Sequence, residues 1–76
     1  MESRLANNRA IEYYDKAAAA VQGNENASRI QFRIAQCFKT LGRPLESRRA
    51  FEYALNLNPD NFNARLELDR LNIIVP

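Results

Sequence analysis

Histidine and tryptophan do not occur in this 76-residue sequence, cysteine occurs once and glycine twice. Without histidine the chain lacks the commonest metal ligand and the commonest general base at neutral pH. A single cysteine, Cys37, cannot close an internal disulfide. No run of roughly eighteen apolar residues is present, so no stretch reads as a membrane-crossing helix and no membrane partner is expected. Met1-Glu2-Ser3-Arg4 leads into an amide-rich segment instead of the apolar run of a signal peptide, which points to an intracellular chain, cytoplasmic ahead of nuclear. A Gly-rich phosphate loop, a nucleophile elbow and a carboxylate pair at catalytic spacing are all missing. No catalytic residue, metal or cofactor is expected, and the chain reads as a non-enzyme.

What is present is ordinary for a folded chain: 46% apolar and 26% charged residues, too apolar for disorder. The length suits one small domain, 1–76, of modest stability. The formal charge is only +2, but residues 27–49 hold Arg29, Arg33, Lys39, Arg43, Arg48 and Arg49 against Glu46 alone, a local balance of +5. Such a block can receive an acidic ligand, although solvated arginines on helices are common and that plainer reading starts ahead.

The chain divides into helix-sized pieces. Leu5 to Val21 has good helix formers, with Ala17 to Ala20 in a row and no glycine before Gly23. Gly23-Asn24-Glu25-Asn26 reads as a turn. Ser28 and Gln31 have capping-box spacing, which predicts a second helix starting there, with Ile30, Ile34, Cys37, Phe38 and Leu41 along one face. Gly42 and Pro44 punctuate a tight turn into a third helix carrying Leu45, Phe51, Ala54, Leu55 and Leu57. So short a connection folds the two helices back on each other as a hairpin. Asn58-Pro59-Asp60 ends that helix, and a last one runs from about Asn61 to Asn72 with Asp60 or Asn61 as cap and Ala64, Leu68 and Leu71 as its apolar stripe. Ile73-Ile74-Val75-Pro76 should pack back or meet a neighbour.

In the pattern of the tetratricopeptide repeat, Gln31 stands at the tryptophan position, Ile34-Ala35 at the leucine-glycine pair, Phe38 at the tyrosine, Ser47 at the alanine, Phe51 at the phenylalanine and Pro59 at the proline. Leu41-Gly42, Glu46 and Ala54-Leu55-Asn56-Leu57-Asn58-Pro59 also resemble that family's wording, and small residues at Ala35, Ser47 and Ala54 would let neighbouring helices approach. Ala10 to Ala17 resembles the second helix of a preceding unit, followed by a linker about three residues longer than the family's period, and the last helix resembles the first helix of a following one. The resemblance implies an all-α fold of about four helices, antiparallel hairpins stacked as a short α-solenoid: half-repeat 5–22, full repeat 28–59 and terminal helix 61–73.

It also implies a function, because the first helix of each tetratricopeptide unit lines a concave groove that accepts peptides. The residues placed there are Arg29, Phe32, Arg33, Gln36 and Lys39, with Thr40 beside them. Phe32 lies off the apolar stripe of its helix and needs either a ligand or an adjacent helix to cover it. Arg29 and Arg33, one turn apart, could hold a carboxylate together. Cys37 is expected as a small core residue, and Tyr13, Tyr14 and Tyr53 as packing residues. The leading expectation is a module that binds a protein or peptide in the groove. The alternative is a structural element whose open ends, Leu5 to Tyr14 and Leu71 to Val75, self-associate or dock on neighbouring repeats. Nucleic acid ranks well below both, since Phe32 is the one evident stacking aromatic in the basic block.

Overall fold

A computed structural model describes the backbone of residues 2–74 and the side chains of residues 5–73. The described chain is all-helical and has no strand: α1 Glu2–Ala20, α2 Asn24–Thr40, α3 Pro44–Leu57 and α4 Phe62–Ile74. None of these helices is long and apolar enough to cross a membrane.

The two glycines mark two of the three connections. Gly23 precedes α2 at φ 96° and Gly42 follows it at φ 74°, the left-handed region where a side chain would strain the backbone. At the second site the Arg43 amide donates to the Phe38 carbonyl, 2.9 Å, and Pro44 opens α3, where its missing N–H costs no hydrogen bond. The third connection is capped as the sequence suggests: Asn61 Oδ1 accepts from the Ala64 amide at 3.1 Å, opening α4.

The start of α2 corrects the sequence reading. Asn24, Glu25 and Asn26, expected as a turn, form its first helical turn, and Ser28 lies inside the helix, fully buried. Its hydroxyl caps nothing. It donates to the Ala54 carbonyl of α3 at 2.7 Å, a partner 26 residues away. Helix formation simply propagates from Gly23 through residues that a local capping signal places outside it.

That bond is one of two rungs between α2 and α3. The other is Ser47 Oγ donating to the Ala35 carbonyl, also 2.7 Å. An early residue of α2 thus meets a late one of α3, and a late residue of α2 meets an early one of α3, so the helices run antiparallel. A serine hydroxyl reaches a backbone carbonyl only where helices lie close, and Ala35, Ser47 and Ala54 are all wholly buried at this crossing. Among the described residues Phe51 is the one large side chain fully enclosed. Ile34, Ala50, Ala64 and Leu71 complete the buried core, with Ile11, Tyr14, Ile30, Phe32, Phe38, Leu55 and Leu68 packed around it.

The outer helices attach to this hairpin from either side, α1 on α2 and α4 on α3. Of the apolar stripe read for α4, Ala64 and Leu71 are buried and Leu68 partly so. Leu45, read as part of the α3 face, is instead exposed at the start of that helix, and Ile73 stands in solvent. The side chain of Ile74, with Val75 and Pro76, lies outside the described residues.

Candidate functional site

Two links join α2 to α4 across the molecule. Near their N-termini Asn61 Nδ2 donates to Ser28 Oγ at 2.9 Å, and farther along Lys39 Nζ meets Glu67 Oε2 at 2.7 Å. Both links ascend together, so α2 and α4 run in the same direction and frame a trough between them. At its N-terminal end the trough opens into a hollow of about 370 Å³ lined by Arg29, Phe32 and Arg33 of α2 and by Asn61 and Asn63. Three of the five residues expected from the sequence therefore converge.

Each reaches the hollow for a local reason. Arg29 and Arg33 stand one turn apart on the exposed side of α2, and Phe32, three residues after Arg29, lies beside them toward the hairpin. Phe32 is partly buried, its ring edge-on to Phe51 of α3 with centroids 5.4 Å apart and planes at 62°. An adjacent helix thus covers part of Phe32, as one of the two sequence readings has it, and the uncovered part lines the hollow together with Arg29 and Arg33. None of the ion pairs among the described residues engages Arg29 or Arg33. Their donors are open to an incoming anion, and a planar guanidinium suits a carboxylate in bidentate geometry.

Gln36 and Lys39 lie farther along α2 and do not line the hollow. Gln36 is partly buried, and its carbonyl accepts from the Thr40 hydroxyl at 3.1 Å. Lys39 is held by Glu67, which is mostly buried and also receives Arg70 at 3.2 Å. Engaging a ligand through Lys39 would require it to leave that pair. Farther still, Arg43 covers the Phe38 ring at 5.2 Å and pairs with Glu46 at 2.6 Å, so this cation of the basic block works inside the fold.

Asn61 and Asn63 are site residues that the sequence reading did not single out as such. Asn61 was legible as a helix cap. Its second task, the bond to Ser28, depends on a partner 33 residues away. Asn61 is committed at both ends of its carboxamide, to Ala64 and to Ser28, so it forms a fixed wall, whereas Asn63 is exposed at the rim.

Cys37, also on α2, is a free thiol and is buried. Burial pushes its thiol up from the usual range, with the nearby Arg33 guanidinium acting in the opposite sense. Among the described residues no three His, Cys, Asp or Glu side chains gather as metal ligands. The hollow is thus equipped to recognise shape, an apolar contact and negative charge. No protein-family model, curated protein or solved structure matches the chain.

Proposed function

We propose that the chain is a protein-interaction module of tetratricopeptide type, which holds a peptide segment or partner helix in the trough between α2 and α4. The observation that carries this reading is the hollow of Arg29, Phe32, Arg33, Asn61 and Asn63, where an aromatic side chain shares the lining with two cations that form no ion pair among the described residues. A side chain of the ligand would rest on Phe32 while an acidic group engages the arginines. Asn63 would contribute a neutral hydrogen bond at the rim.

Several features support a stacked-repeat reading of the fold. The α2/α3 pair is antiparallel, α4 runs parallel to α2, and their first link joins residues 33 apart, close to one repeat of this family. The linker's extra length over the family's period is taken up as an added N-terminal turn of α2. In such stacks each element rests on its sequence neighbours, as these four helices do.

The test is selection from a peptide library with free C-termini, using the wild-type chain and an Arg29→Glu, Arg33→Glu variant. Both side chains are exposed, so circular dichroism should show equal helicity. Enriched peptides should carry acidic groups near an apolar residue, and the variant should lose them by about tenfold or more in affinity. Peptides bound equally by both proteins, or no enrichment by a folded wild type, would remove the hollow from consideration as a binding site.

A further inference from the structure

The two outermost helices each carry a second apolar row, facing away from the core. On α4, Phe62, Leu66 and Ile73 are 76%, 54% and 82% exposed, and their spacing of four and seven residues puts them on one face, opposite buried Ala64 and Leu71. Asp69 sits in the middle of the same row. On α1, Leu5 and Tyr13 are 54% and 69% exposed and share a face with Arg9, Glu12, Lys16 and Ala20, opposite the inward-packed Ile11 and Tyr14. Isolated exposed apolar residues need no explanation, but a row of them along one side of a helix in a chain this small does.

The rows fit each other. Laid antiparallel, as α2 and α3 already lie, Leu5 meets Ile73, Arg9 meets Asp69, Leu66 fits between Tyr13 and the stem of Glu12, and Lys16 meets Phe62. Apolar side chains then face apolar ones, the opposite charges coincide, and the lysine covers an aromatic ring. Laid parallel, Leu5 would meet Phe62, but Arg9 would face Leu66 without a partner and Asp69 would face Glu12, a like charge. Neither Arg9 nor Asp69 has an ion-pair partner among the described residues.

We infer that the outer face of α4 docks the outer face of α1 from a second copy of this chain, antiparallel and head to tail. The two faces lie on different helices at different sides of the α2/α3 hairpin, so a copy that has used its α4 face still offers its α1 face. The contact is heterologous and adds further copies instead of closing at two. Neither surface includes the hollow between α2 and α4, so this assembly is independent of peptide binding there.

The test is sedimentation of the full chain over a concentration series from micromolar to millimolar. The weight-average mass should climb with concentration and pass twice the 8.7 kDa of one chain. Asp69→Arg should shift that rise to about tenfold higher concentration, because it sets Arg9 against a like charge, and Arg9→Asp should do the same. The double variant Arg9→Asp, Asp69→Arg reverses the pair and should restore assembly. Replacing Phe62 and Leu66 by serine should abolish it without loss of helicity, and the Arg29→Glu, Arg33→Glu protein should assemble like wild type. A monomer at every concentration would overturn the inference. So would a species that stops at two copies and ignores Arg9→Asp, since that would mark a symmetric α4–α4 contact.

Discussion

The α2/α3 hairpin and helix α1 are built on different terms. The hairpin buries Ile34, Ala35, Cys37, Ala50, Phe51 and Ala54 and ties its helices by two serine hydroxyls donated to carbonyls across the crossing. Helix α1 is the longest of the four at 19 residues, yet none of its described side chains is fully buried. It rests on Ile11, Tyr14 and partly covered alanines, and its own helix propensity supplies much of the remainder. Length and burial are therefore uncoupled here, and burial is what tertiary packing can use to secure a helix.

The comparison breaks most sharply in the core. Phe51→Ala should cost about 3–5 kcal/mol, comparable with the whole stability of so small a chain, and circular dichroism should find the variant largely unfolded. Tyr14→Ala in α1 should leave a folded protein with a lowered melting temperature. If both variants melted alike, the division into a strong hairpin and a lightly held flank would be wrong.

The serines sharpen it next. Ser28→Ala removes one donor and also deprives Asn61 of its acceptor, so about 1–3 kcal/mol should be lost, against about 1 kcal/mol for Ser47→Ala, which removes a single bond. Chemical denaturation of the two variants measures the difference, and the reverse order would remove Ser28 from its linking role. Hydrogen exchange reads the comparison without mutation. Amides in the middle of α1 should exchange at least about tenfold faster than those of Ile34 to Cys37, because α1 opens locally while the hairpin exchanges only on global unfolding.

The smallest effect is pH-dependent. Because burial raises the Cys37 thiol in the folded chain, the unfolded chain gives up that proton at lower pH than the folded one does. Stability is then full below the ordinary thiol range and declines as pH rises through it toward the folded value. Melting temperatures taken from neutral to alkaline pH should show this decline in wild type and a shallower one in Cys37→Ala. The slope is the readout, since removing the sulfur also leaves a small void.

Features governed by neighbours in the chain are legible in the sequence itself. Gly42 and Pro44 mark a turn that depends on nothing beyond it, and the periodicity of Ile34 and Cys37 reports a buried face wherever that face is buried. Ser28 misled because its chemistry fits a local role while its partner is Ala54, 26 residues away. The site divides along the same line. Arg29 and Arg33 are readable as a pair one turn apart, whereas the cover on Phe32 comes from α3 and the opposite wall of the hollow from Asn61 and Asn63. Leu45 and the outer row of α4 show the converse: an apolar residue in a helix declares that something should cover it, without saying whether this molecule does.

The chain of bonds from Asn61 through Ser28 to Ala54 has a direction, since an amide gives to a hydroxyl that gives to a carbonyl. Ser28 owns one proton and has already spent it on α3, so it can meet α4 only as an acceptor. Deamidation of Asn61 to aspartate would barely alter the outline of the side chain, yet would set a second acceptor against that hydroxyl. The Ala54 carbonyl and the new carboxylate would then compete for one proton, and the seam joining three helices would register the ageing of a single amide.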